Sequence, residues 1–190
     1  MRIGAVVSVV VATAVLVLAS VAAADVMKGT PGNDTLTGTP GPDLIFGRAG
    51  NDTISGAGAG DILLAGRGND SVDGGDGLDV IWGGAGNDLL HGGNGPDLVR
   101  GRHGDDQVYG DDGNDRLFGG AGQDQEFGGN GNDRLHAIAN DGKVDTLDCG
   151  DGQDRAVLRQ NDIALPNCEK VKILPLTASA SGEPGESQQQ

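Results

Sequence analysis

An aliphatic residue returns at every ninth position through the middle of this chain, and the positions around it keep a fixed character. The series runs Leu36, Ile45, Ile54, Leu63, Val72, Ile81, Leu90, Val99, Val108, Leu117 and Leu135, interrupted once by Glu126. Two residues before each of these positions stands an aspartate without exception: Asp34, Asp43, Asp52, Asp61, Asp70, Asp79, Asp88, Asp97, Asp106, Asp115, Asp124 and Asp133. Glycine fills the first position of the nonamer except at Ala65, and the fourth except at Ala59. From Gly29 to His136 the chain therefore divides into twelve nonamers without insertion or deletion.

This period predicts an all-β fold. Glycines at the first and fourth positions permit positive φ and tight turns. The three residues after each aspartate read as a short strand whose middle side chain points inward. One nonamer is then half a coil, six residues of turn followed by three of strand. Two nonamers close a coil of eighteen residues. About six full coils, stacked at about 4.8 Å per rung, give a parallel β-roll (a β-solenoid) roughly 29 Å long. Its core is thin. One aliphatic side chain at roughly 1.5–3 kcal/mol does not offset the ordering of nine residues at roughly 1–2 kcal/mol apiece. The aspartates would also stack in columns of like charge, so something must bind there.

Composition narrows the ligand. The chain of 190 residues carries 36 glycines, 3% aromatics and a net charge of −15, which disfavours nucleic acid and anionic membranes as partners and favours multivalent cations. Carboxylate and carbonyl oxygens, with no histidine or thiolate at the sixth position, suit calcium or magnesium rather than zinc or copper. A turn lined by carbonyls adapts better to the variable ligand number of calcium than to the strict octahedron of magnesium. The competing reading has the aspartates merely solvating turns, a task that neutral Asn or Ser would perform without the repulsion.

The nonamer resembles the hemolysin-type, or RTX, calcium-binding repeat G-G-x-G-x-D-x-U-x, where U is aliphatic. Gly83-Gly84-Ala85-Gly86-Asn87-Asp88-Leu89-Leu90-His91 fits it at every specified position, and the second glycine, present in six of twelve repeats, is the weakest column. The resemblance implies calcium ions seated between the turns of stacked coils, held by aspartate side chains and backbone carbonyls. Two columns of six turns then leave room for about ten ions, and folding coupled to their binding. Sites of this kind suit the calcium outside cells. The first two repeats, with Pro31, Pro40 and Pro42 in their turns, and the fourth, with Ala59, are expected to bind less well. A nearby ion or a locally opened last coil would each account for Glu126.

The flanks suggest export and a cap. Residues 1–24 read as a secretory signal, with Arg2, an apolar stretch from Ile3 to Leu18, and Ala22 and Ala24 ahead of a cut before Asp25; an uncleaved anchor is the alternative. A short lead-in at 25–28 precedes the repeats of 29–136. The register returns in weaker form after Ala137–Ala139, at Asp145, Leu147, Gly150, Gly152 and Asp154. Residues 137–173 therefore read as degenerate repeats and a C-terminal cap, and 174–190 as a disordered tail. In an exported chain the pair Cys149 and Cys168 suggests a disulfide tying that cap. The segment Asp145 to Gly150, followed by Asn167-Cys168-Glu169, is similar to the terminal motif of some secreted bacterial proteins with such repeats.

Alternate nonamers fall on opposite sheets, so each outer face can be read separately. One begins Thr35, Thr37, Thr53, Ser55, and the other carries Leu44, Phe46, Ile62, Leu64, Val80, Trp82 and Leu98. This second set is a candidate interaction face for a protein, a surface or a second copy. Alternatively, the C-terminal segment or Asp25–Lys28 folds over it. Catalysis is not expected. His91 and His136 fall on opposite sheets, His103 falls in a turn, and neither H-E-x-x-H nor G-x-S-x-G occurs. The sequence thus points to a secreted calcium binder. A calcium-dependent adhesin or matrix component is the rival, and ice binding a weaker one because the threonine column stops after Thr53.

Overall fold

The structure, a computed structural model, describes residues 25–175 and the three-residue strand Ala14–Leu16. The expected leader, apart from that strand, and the tail from 176 onward lie outside the described residues. Two parallel sheets make up the fold, and no described residue is helical. Successive strands alternate between the sheets, so each pairs with the strand one coil away. In one sheet Leu44–Ala49 lies against Ile62–Arg67, which lies against Val80–Ala85. In the other Thr53–Gly58 lies against Ser71–Asp76, which lies against Leu89–Asn94.

The architecture is the expected parallel β-roll, but with about eight coils rather than six. Val26–Lys28 is already a strand, paired with Leu44–Phe46. Beyond the repeats, Thr146–Asp148, Arg155–Arg159, Ile163–Ala164 and Lys170–Leu174 extend both sheets. The strands are also longer than expected. Each strand from Leu44–Ala49 to Arg116–Ala121 runs for six residues, as in Leu98–His103, because pairing with the next coil continues through the glycine-bearing bend: Arg102 pairs with Gly120 and His103 with Ala121. His103 thus ends a strand instead of lying in a turn.

Period-2 geometry decides what lies inside. In Ser71–Asp76, Val72 and Gly74 are buried while Ser71 and Asp73 are exposed. Counting back two from the aliphatic position reaches the aspartate, so Asp, aliphatic and Gly share one inward face. The aliphatic side chains from Leu36 to Leu135 are 0–3% exposed. The aspartates beside them are equally buried, from Asp79 at 0% to Asp34 and Asp43 at 4%.

The register changes after His136. From Val26 to His136, paired residues of neighbouring coils are eighteen apart, as Leu98 and Arg116 are. The three added residues lengthen that coil, so Gln125 pairs with Thr146 and Arg134 with Arg155. The last coils are shorter, with Thr146 against Ile163 and Arg155 against Lys170. The disulfide between Cys149 and Cys168, Cα atoms 5.1 Å apart, ties these final coils together.

Candidate metal centre

The twelve sequence-predicted aspartates form two ladders at the edges of the sheets. In each, the backbone N–H of one aspartate donates to Oδ1 of the aspartate one coil on: Asp52 to Asp70 at 2.7 Å, Asp70 to Asp88 at 2.9 Å, Asp88 to Asp106 at 2.8 Å. The second column repeats this from Asp61 to Asp79 at 2.6 Å through Asp97 to Asp115 at 2.8 Å. From Asp43 onward each carboxylate therefore spends one oxygen on holding two coils in register.

The other oxygen is left over. Oδ2 of Asp52, Asp61, Asp70, Asp79, Asp88, Asp97, Asp106, Asp115, Asp124, Asp133 and Asp154 is buried with no hydrogen-bond donor among the described residues. A buried acceptor without a partner costs about 1–3 kcal/mol, and more when charged. One such atom would be a defect, whereas eleven in two columns are a repeated feature of the fold.

The first-position glycine leaves room beside it. A Cβ on Gly92 would stand 2.6 Å from Asp97 Oδ2 and 2.7 Å from the Gly110 carbonyl oxygen of the next coil. The same two oxygens border every first-position glycine from Gly29 to Gly110. These glycines leave space and are not called for by conformation, since none of them has positive φ; Ala65, buried at the same position, is the one that carries a Cβ there. The left-handed residues are instead at the second and fourth positions. From the third repeat on, the second residue has positive φ whatever its identity, including Arg48 at 84°, Ala57 at 83°, Arg102 at 86° and Asp111 at 68°. The turn geometry is imposed by the stack, and glycine merely lowers its cost.

Burial pushes these carboxyls upward: to about 7 at Asp61, Asp88, Asp97, Asp115 and Asp145, to about 8 at Asp106, and to about 6 at Asp70, Asp124 and Asp133. The backbone N–H bond acts in the opposite sense, and neighbouring carboxylates add to the rise. Negative charge in the ladders is therefore costly to hold without a counter-charge inside the roll. Hard oxygens alone supply the donors, which fits a calcium-type cation and no thiophilic metal. Bound there, such an ion would supply the neutralising charge. The aspartate Oδ2 atoms and the first-position carbonyls are the groups to hold it.

Two members of the ladder were not anticipated. Asp162 and Glu169 end the two columns, accepting from the Asp145 N–H at 3.2 Å and the Asp154 N–H at 2.7 Å. Their only sequence signal is an acid two residues before a small apolar one, Ala164 and Val171, at irregular spacing. At the opposite end, the Oδ2 atoms of Asp34 and Asp43 are bonded to Thr30 and Thr39.

Glu126 needs neither an ion nor an opened coil. It is fully buried; Oε1 accepts from the Gly119 N–H at 2.8 Å and Oε2 from the His136 N–H at 2.9 Å, both in the opposite sheet. It sits where pairing of Arg116–Phe118 stops at His136 instead of continuing through the bend. Burial pushes its carboxyl up to about 8.

Among the described residues no strand covers the apolar outer face. Val26–Lys28 and Lys170–Leu174 extend the ends of that same sheet instead of folding across it. Leu44, Phe46, Leu64, Val80, Trp82 and Leu98 are half-buried and Ile62 is 44% exposed. Neighbouring rungs shield one another: the Arg102 guanidinium lies 5.0 Å from the Trp82 ring centre, and that of Arg100 4.7 Å from Phe118. On the opposite face, His91, Tyr109 and Phe127 stack at 4.5 Å spacings.

The profile of the RTX calcium-binding nonapeptide repeat matches this chain in four copies, over residues 28–63, 55–90, 91–126 and 127–137. A comparison with curated proteins finds no match.

Proposed function

The chain belongs to the family of RTX calcium-binding nonapeptide repeat proteins, and on that premise we propose that it is a secreted, non-catalytic protein whose roll folds as calcium fills its two ladders. Calcium binding by the β-roll follows from the family and agrees with the buried aspartates. Of the twelve aspartates of the expected ligand set, Asp34 to Asp133, the ten with an unpartnered Oδ2, Asp52 to Asp133, are the proposed ligands, with up to about ten ions expected. The observation that carries the reading is the run of orphaned Oδ2 atoms. Their number is too large for the thin aliphatic core to support unless a cation pairs with them.

The domain boundaries follow from the same reading: a leader at 1–24 removed on export, a lead-in at 25–28, repeats at 29–136, a disulfide-tied cap at 137–173 and a tail at 174–190. A disulfide suits an oxidising, extracellular setting, and no described helix is long and apolar enough to cross a membrane.

The test is a calcium titration of the purified protein, following far-UV circular dichroism together with Trp82 fluorescence. A cooperative gain of β signal that equal magnesium does not produce is expected. A chain already folded in chelator, or indifferent to calcium, would sink the proposal.

A second reading adds adhesion through the apolar face, favoured by the exposure of Ile62 and by the absence of a covering strand among the described residues. Replacing Leu64 and Trp82 with Ser or Thr should then abolish calcium-dependent self-association or capture of a surface. Unchanged behaviour would leave the simple calcium binder.

A further inference from the structure

Two turns of the roll differ from the rest. In Gly29–Asp34 the Thr30 N–H donates to Asp34 Oδ2 at 2.5 Å, and the Thr30 hydroxyl lies 3.1 Å from the same oxygen. In Gly38–Asp43 the Thr39 N–H donates to Asp43 Oδ2 at 2.6 Å, with the hydroxyl again at 3.1 Å. Each hydroxyl is itself held by the N–H of the fourth-position glycine, Gly32 or Gly41, at 3.1 Å. From Asp52 to Asp133 the corresponding oxygen has no donor among the described residues.

The cause is local. From Arg48 to Gly129 every second-position residue has positive φ, whereas Thr30 and Thr39 do not. A β-branched residue resists the left-handed region. The proline that follows each threonine, Pro31 or Pro40, confines it further to extended backbone. The tetrad Gly-Thr-Pro-Gly therefore encodes a turn whose N–H faces inward, onto the aspartate.

We infer that Thr30 and Thr39 close the first turn of each column to calcium, so that ion binding begins one coil further in, at Asp52 and Asp61. The inference rests on the calcium reading above. The oxygen that elsewhere awaits a cation is here satisfied by two uncharged donors, and an ion would have to displace both. The first repeat coil is thus a metal-independent rung close to the N-terminal end of the stack, atypical as the outer repeats of a solenoid are. It offers later coils a preformed edge on which to pair.

Counting bound calcium on the full chain tests this, by native mass spectrometry and by equilibrium dialysis at saturating calcium. Asp34→Asn combined with Asp43→Asn should leave the count unchanged, while Asp52→Asn with Asp61→Asn should lower it by two. Thr30→Gly with Thr39→Gly should raise it by two and needs no change to any aspartate. Loss of two ions in the Asp34/Asp43 variant, or no gain in the threonine variant, would overturn the inference while leaving the calcium reading intact. A wild-type chain that takes up no calcium would overturn both.

Discussion

Replacing Glu126 with Leu restores the aliphatic column, and on sequence pattern alone it should stabilise the roll. The structure predicts the opposite. Both carboxyl oxygens accept backbone N–H groups of the opposite sheet, from Gly119 and His136, inside a fully buried setting. Leucine would leave two buried donors without these acceptors, at about 1–3 kcal/mol each. The added apolar burial returns about 1.5–3 kcal/mol. Mid-range values leave a net loss of about 2 kcal/mol. Glu126→Gln keeps one acceptor oxygen but turns an N–H donor toward the other site, and should fall between the two. The assay is thermal and urea unfolding in saturating calcium, where the ladders are neutralised and the comparison is confined to this site. A loss of about 2 kcal/mol would lower Tm by about 4–8 °C in a protein of this size. An Glu126→Leu protein as stable as wild type, with an unchanged urea slope, would refute the argument. It would mean that the coil closes at His136 without help from the carboxylate.

Acid should partly replace calcium. Carboxyls raised to about 6–8, such as Asp124 and Asp106, hold protons in the folded state that the unfolded chain has released. Their contribution is complete below the ordinary carboxylate value and is lost as pH rises through about 6 to 8. Circular dichroism in chelator should therefore show more β structure at about pH 5 than at about pH 9, and equal signals would contradict this. Calcium uptake near neutrality should release protons, measurable in weakly buffered solution. Ala59→Gly relieves a left-handed alanine, φ 66°, and should stabilise the calcium-loaded roll by about 1 kcal/mol in urea melts; a loss would show that the methyl packs favourably. Reducing Cys149–Cys168 removes a link across 19 residues, worth about 3 kcal/mol on chain-entropy grounds. Because coils contact only their neighbours, hydrogen exchange should quicken in Arg155–Arg159 and Lys170–Leu174 while Leu44–Arg100 stays protected.

Much of this molecule was determined by its sequence because the repeat is local. An aspartate, an aliphatic residue and a glycine at alternate positions must share one face of a strand. A period of nine with no insertion must stack like on like, so the buried columns from Asp34 to Asp133 and from Leu36 to Leu135 follow from spacing. What only the tertiary structure decided concerns groups a full coil apart. The strand extends through the bend because the next coil supplies hydrogen-bond partners for residues such as Arg102. That same neighbour forces Arg48, Ala57 and Asp111 into a conformation their own side chains disfavour. First-position glycines proved to be spacers between a carboxylate and the carbonyl of the next coil, a role invisible within one nonamer. Asp162 and Glu169 join the ladders only because shortened coils bring them beneath Asp145 and Asp154. Glu126, a flaw in the column when read along the chain, bonds to N–H groups of the facing sheet. Spacing can say which side chains point inward; which donors they meet there depends on the coil above and the sheet opposite.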